Sequence, residues 1–234
     1  MPAVAYILAK PLIAIKQYRN LFFVPILLLF TFANIEMHLA TYFPEIFNVA
    51  FTGYTGVMLV TLLMSVMAGR VTPMFTANGT KTSKVTPLPW LDKVTNGSLA
   101  IVMFSLLLEP IIGFSPQFFG IFLIIAGIFQ TMRWLRWRPW ITLGVPLLWS
   151  MHLAIKFIAS GLIILGVSYL IPEIPSNHMW HLLTVGGMGG LILAMISRVS
   201  LGHTGRPLYP PKAMTAAYIF ITLAALMRAF GPWV

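Results

Sequence analysis

The sequence predicts an all-α protein, a polytopic bundle of about seven transmembrane helices with about 20 residues in each span. Its composition is the first reason, because 59% of the 234 residues are hydrophobic and 9% are charged, whereas a soluble domain carries about 25% charged residues. The second reason is that apolar residues run almost unbroken through seven stretches, with proline and glycine between them. The third is that the basic residues are confined mainly to alternate connections. A chain with so few charged residues is expected to reside in a lipid bilayer.

The elements follow from these stretches in chain order. Residues 1–19 contain an apolar segment that Lys10 and Pro11 interrupt, without a small-residue cleavage site, so they predict an interfacial or broken helix rather than a signal peptide. Residues 20–234 are predicted to form a single transmembrane helical domain. Its spans are roughly 20–40, 48–68, 94–113, 116–132, 147–170, 177–198 and 213–231.

The distribution of charge predicts the orientation. Lys and Arg precede the first span and occupy the connections after the second, fourth and sixth, whereas the connections around 41–47, 114–116 and 171–176 contain neither. The positive-inside rule then predicts a cytoplasmic N-terminus and a C-terminus outside. The same rule accounts for the formal net charge of +10, so the predicted partner is the lipid bilayer and not nucleic acid.

Histidines near the predicted outer surface are candidate metal ligands. His178 and His181 are three residues apart and share a helix face, and His38 lies near the outer end of the first span. Cysteine is absent, so a metal must be held by other donors, and converging imidazoles suit haem iron or copper. The alternative is that these histidines bond to carbonyl groups or lipid headgroups at the interface.

A second candidate pair lies inside the fifth span, where His152 and Lys156 are four residues apart on one face. A lysine at that depth must pair, lose its proton or snorkel towards the headgroups. The pair is suited to a haem propionate, a proton step or an anion, and His152 is suited to axial ligation. A snorkelling lysine and a hydrogen-bonded core histidine are the structural alternatives.

Two polar segments, 70–79 and 198–207, are predicted as cytoplasmic loops. Each begins with an arginine at the end of a helix, where the helix dipole favours a cation, and continues into turn-forming sequence. Their side chains are suited to grip a propionate or phosphate; the candidates are Arg70, Asn78, Arg198, His203 and Arg206. Positive-inside charge and helix capping explain the arginines equally well, but they do not explain His203.

These segments carry a resemblance to a known family. Residues 181–190, HLLTVGGMGG, and 198–208, RVSLGHTGRPL, resemble the signature of the NnrS family, and 69–79 and 148–153 fit its pattern. The resemblance implies a haem- and copper-containing protein of the bacterial inner membrane that is associated with nitric oxide metabolism and tolerance. Carried over by position, it points to cofactor-binding roles for His181, His152, His203, Arg198, Arg206, Arg70 and Asn78.

The resemblance lies with the C-terminal half of longer family members, whose N-terminal half has a histidine motif of its own. It therefore leaves three alternatives open: a fragment, a short family member, or a split protein whose partner is the missing N-terminal half, as a separate chain or a fusion. The leading hypothesis is a haem/copper membrane protein of the nitric oxide response, with its catalytic turnover left open. The alternative is a non-catalytic membrane subunit or transporter without bound metal. A membrane enzyme that uses Lys156 or His152 as an acid or base ranks last.

Overall fold

The structure is a computed structural model that describes residues 1–47 and 49–233, and within these ranges all regular structure is helical. This confirms the predicted all-α class. In chain order the α-helices are α1 Pro2–Ala14, α2 Phe23–Tyr42, α3 Val49–Thr80, α4 Pro89–Leu107, α5 Glu109–Ile112, α6 Pro116–Arg136, α7 Pro146–Leu170, α8 Ser176–His181, α9 Gly190–His203 and α10 Lys212–Phe230. A π-helical segment, Leu182–Gly189, joins α8 to α9 without a break.

Six helices in the described ranges are long and apolar enough to cross a bilayer: Phe23–Tyr42, Thr52–Thr80, Pro116–Arg136, Pro146–Leu170, Ser176–His203 and Lys212–Phe230. These confirm a multi-pass membrane protein. The remaining predicted span, 94–113, corresponds to α4, which is 19 residues long, or about 28 Å at 1.5 Å per residue. Polar residues in its first half, including Asp92 and Asn96, lower its hydropathy. It nevertheless packs between α3 and α6, and it remains a predicted span.

The predicted cytoplasmic loops are largely helical, which corrects the sequence-based assignment. The helix α3 continues through Arg70 and Asn78 to Thr80, and α9 continues through Arg198 to His203. Within this part of α3, Pro73, Asn78 and Gly79 disfavour a helix, and a proline in a helix interior removes one backbone hydrogen bond. Packing against neighbouring helices compensates, because Thr76 lies in the interior and its hydroxyl contacts His152 of α7.

The second loop begins one residue after His203, and the left-handed backbone of Gly205, with φ of +66°, turns the chain there. The sequence predicts that Arg133, Arg136 and Arg138 lie in the connection after the fourth span, and the structure differs for two of them. Arg133 and Arg136 belong to the last turns of α6, where a cation complements the helix dipole.

The helix α7 lies at the centre of the bundle and contacts α6, α3, α9 and the π-helical segment. It approaches α6 closely along a seam of glycines. A Cβ atom at Gly127 would lie 2.9 Å from the backbone oxygen of Ala159, and one at Gly166 would lie 2.6 Å from that of Gly120. The order of these contacts shows that α6 and α7 are antiparallel.

The π-helical segment packs its glycines against α7. A Cβ atom at Gly186 would lie 2.6 Å from the ring of Phe157, and one at Gly187 would lie 2.7 Å from Cγ1 of Ile158. Small residues let neighbouring helices approach closely in a membrane. The glycine run that contributes to the family signature therefore serves helix packing.

Candidate functional site

The centre of the candidate site is His152 on α7, whose side chain is buried with 2% exposure. Its Nε2 atom lies 2.8 Å from the hydroxyl of Thr76 on α3. Its Nδ1 atom is enclosed and has no hydrogen-bond partner among the described residues. A histidine that is oriented through one ring nitrogen retains the other as a potential ligand. The Thr76 contact thus orients the ring and leaves Nδ1 without a hydrogen bond among the described residues.

A cavity of about 360 Å³ adjoins His152, within the range of about 300–1,000 Å³ that is usual for ligand sites. Three tryptophans form much of its wall: Trp134 on α6, Trp149 on α7 and Trp140 between these helices. Lys156 lines the same cavity. An aromatic wall with one imidazole and one amine suits a flat, partly anionic ligand.

Arg198 is held against the same helix that orients His152. Its guanidinium carbon lies 4.1 Å from the ring centroid of Phe75, and the side chain is 9% exposed. Phe75 and Thr76 are consecutive residues of α3, so this helix contacts both Arg198 and His152 through neighbouring side chains. Stacking over an aromatic face stabilises a partly desolvated arginine.

The remaining predicted residues of the cytoplasmic side do not line the cavity at His152. Arg70 donates from Nη1 to Oδ1 of Asn20 at 3.1 Å and lies over the ring of Phe22. The side chains of Asn78, His203 and Arg206 are exposed. Their cofactor-binding roles remain predictions.

The three histidines predicted to bind metal do not form a closed group. The described residues contain no cluster of three or more His, Cys, Asp or Glu side chains that could hold a metal ion. His38 is exposed on α2, which packs mainly on α1 and α3, whereas His178 and His181 belong to α8, which packs on α7 and α10. These different neighbours keep the predicted ligands from converging as one three-histidine site.

A buried polar cluster between α3, α4 and α6 was not predicted from the sequence. Its centre is Arg133, with 2% exposure, which donates from Nη2 to the backbone oxygen of Ser65 at 2.9 Å and to Oε1 of Gln130 at 2.8 Å. Its Nη1 lies 3.3 Å from Oδ1 of Asp92. The Ser65 hydroxyl donates to Oδ1 of Asn96 at 2.9 Å.

The sequence did contain a signal for this cluster. Gln130 and Arg133 are three residues apart, so they share one face of α6. The positive-inside rule accounts for Arg133 as a charge in a cytoplasmic loop, and for this reason its burial inside the bundle was not predicted. Only the packing of three helices brings Ser65 and Asn96 to the same point.

The fold and these interior polar groups define the class of protein. It is a multi-pass, all-helical membrane protein whose bundle encloses polar side chains of the kinds that bind ligands. The chain belongs to the NnrS family, because the family model described as "NnrS protein" matches residues 1–234. This match confirms the resemblance to the NnrS family that the sequence motifs indicated. It also covers the first twenty residues, where no motif had been found. Comparison with curated proteins and with solved structures finds no match for the chain.

Proposed function

We propose that this chain is a haem- and copper-binding protein of the bacterial cytoplasmic membrane that acts in the response to nitric oxide or in tolerance of it. The observation that carries the proposal is the buried imidazole of His152, which Thr76 orients while Nδ1 has no partner among the described residues. Membership of the NnrS family supplies the cofactor class and the nitric oxide context as expectations.

The residues around His152 fit the haem part of this proposal. A neutral imidazole is a usual ligand of haem iron, and the tryptophan-lined cavity offers apolar walls to a flat macrocycle. Lys156 is positioned to pair with a propionate, since it lines the cavity and has no ion-pair partner among the described residues. When bound, the metal would supply a coordination position for nitric oxide, and the chain would hold and orient it.

The copper part rests on the family alone, because the described residues include no three-ligand group. His178 and His181 remain the best candidates within the chain, since they share one face of α8. A further ligand would then come from elsewhere, and the N-terminal half of longer family members is the partner we propose for it.

The test is the optical spectrum and the metal content of the purified chain and its histidine variants. We expect a Soret band that His152→Ala abolishes and that the control Lys93→Ala, at an exposed position outside the predicted site, leaves intact. His181→Ala should reduce copper and spare the Soret band.

Absence of both iron and copper, even after co-expression with the N-terminal half of a longer family member, would contradict the proposal. The second candidate function would then stand, a non-catalytic membrane subunit or transporter. Substrate flux in vesicles without any chromophore would support transport.

A further inference from the structure

A second cavity lies where the C-terminal part of α3, the segment 81–88, the start of α4 and the end of α6 meet. Its volume is about 340 Å³, and it shares no lining residue with the cavity at His152. Its charged lining consists of four cations and one carboxylate: Arg70, Lys84, Arg133, Arg136 and Asp92. We call it the basic cavity.

The single carboxylate of the lining does not balance Lys84, Arg133 and Arg136. Asp92 lies 3.3 Å from Arg133, and its side chain is 42% exposed, whereas strong charge-assisted hydrogen bonds are about 2.7–2.9 Å long. Lys84 and Arg136 form no ion pair with a described residue, and Arg136 donates only to the backbone oxygen of Thr86 at 3.0 Å. A cleft lined by charges of one sign concentrates counter-ions. The basic cavity therefore favours an anion.

Arg133 gives this cavity a fixed anchor. Its Nη2 is held by Ser65 and Gln130 from the interior side, while its Nε has no hydrogen-bond partner among the described residues. A Cβ atom at position 69 would lie 3.1 Å from Nη1, so Gly69 keeps the space beside the guanidinium open. A buried cation needs a counter-charge, and the exposed Asp92 supplies it only in part.

We infer that the basic cavity binds an oxyanion, a phosphate or carboxylate group, with Arg133 as the buried anchor and with Lys84 and Arg136 as outer contacts. Arginine presents paired donors that match the oxygens of such groups. The group can belong to the headgroup of an anionic lipid or to a soluble oxyanion, because both carry the same chemistry. The inference is independent of the proposed metal site.

The first experiment uses inorganic phosphate as the probe. The thermal midpoint of the full chain in a neutral detergent is measured against phosphate, with chloride at matched ionic strength as the reference. The test variant is Lys84→Gln with Arg136→Gln, and the control is Lys81→Gln with Lys93→Gln, which removes two exposed charges that do not line the cavity.

Phosphate should raise the midpoint of the wild type and of the control. Binding to the test variant should be at least about tenfold weaker, which corresponds to ~1.4 kcal/mol. Because Lys84 and Arg136 are exposed, the test variant is expected to fold, and size-exclusion profiles will verify this.

The second experiment determines whether the bound oxyanion is the headgroup of an anionic lipid or a soluble oxyanion. The same three proteins are released from nanodiscs of mixed phosphatidylglycerol and phosphatidylcholine and analysed by native mass spectrometry. If the ligand is a headgroup, the wild type and the control retain one anionic lipid that the test variant lacks, and phosphate acts only after delipidation.

Site-dependent binding of either probe supports the inference. Equal binding of phosphate and of anionic lipid by the test variant and the control would overturn it, because the effect would then be general surface electrostatics. Failure of both probes to bind the wild type would overturn it as well.

Discussion

At the scale of single residues, two polar side chains are buried inside the bundle, Arg133 and His152, and they differ in their hydrogen bonding. Arg133 is surrounded by oxygen acceptors from three helices. His152 has one contact, at Nε2, and an enclosed Nδ1 without a partner among the described residues. Each side chain thus keeps one buried nitrogen without a partner among the described residues, at Nε of Arg133 and Nδ1 of His152, but the several hydrogen bonds of Arg133 indicate that it has a structural role as well.

Replacing Arg133 by alanine should destabilise the protein by about 3 kcal/mol, because it leaves the polar groups of Ser65 and Gln130 without their shared donor. The control Lys93→Ala, at an exposed position on α4, should stay within about 0.5 kcal/mol. Thermal unfolding in detergent measures both. Similar midpoints for the two variants would show that the cluster does not stabilise the bundle.

Thr76 is predicted to act as a positioning residue for His152. Thr76→Val removes the hydroxyl that lies 2.8 Å from Nε2 and keeps a similar volume, so the bound cofactor should be retained with a shifted absorption band or reduction potential. Thr76→Ser should restore the wild-type spectrum. Identical spectra for all three proteins would remove Thr76 from the site.

At the scale of the elements, close packing of α6 on α7 fixes the positions from which these side chains act. Gly120 and Gly166 meet backbone to backbone, and the π-helical segment brings Gly186 and Gly187 against the same central helix. Association of helices in lipid depends on such close contact, because lipid tails are as apolar as the side chains. Arg133 on α6 and His152 on α7 therefore stand on helices whose spacing tolerates little change.

Gly166→Ala should cost about 1–3 kcal/mol of stability, because the new methyl group would lie 2.6 Å from the backbone oxygen of Gly120. Gly97 is the matched control, since it lies within α4 and nothing is within 4 Å of its Cβ position. Gly97→Ala should be neutral or stabilising by about 0.4–1 kcal/mol. Thermal midpoints of the pair measure the difference, and equal effects would contradict the close approach of α6 and α7.

At the scale of the whole molecule, the bundle separates its two ends by charge. The basic cavity, with Lys84 and Arg136, and the exposed turn after His203 belong to the predicted cytoplasmic side. Glu173 and the first turn of α6 belong to the predicted outer side. This orientation follows from the positive-inside rule, and the proposed anion site depends on it for access to cytoplasmic headgroups.

The orientation can be tested with single cysteines, because the native chain has none. Ser83→Cys and Tyr209→Cys, both at exposed positions, should react with an impermeant thiol reagent only from the cytoplasmic side. Gln117→Cys and Glu173→Cys should react only from outside. Labelling of Ser83→Cys and Gln117→Cys from the same side would show that α4 does not cross the bilayer.

The sequence by itself determined the class of this protein and its family, because apolar runs, alternating charge and the motif around His181 to Gly190 are local properties of the chain. It also drew attention to His152, a polar residue within an apolar span, and to Arg198, the first residue of a polar segment; their cofactor-binding roles remain predictions. It misjudged the ends of α3 and α9, because those turns bury side chains such as Thr76 on α3 and Leu201 on α9, and this packing rather than local propensity stabilises them.

Only the tertiary structure decided which polar groups meet. The cluster of Ser65, Asn96 and Arg133 joins three helices that are distant along the chain, and the same packing kept His38 from joining His178 and His181 in one metal group. Helix spacing in the sequence specifies the face on which a side chain lies, but not which neighbouring helix that face will contact. That choice depends on how the whole bundle buries its surfaces.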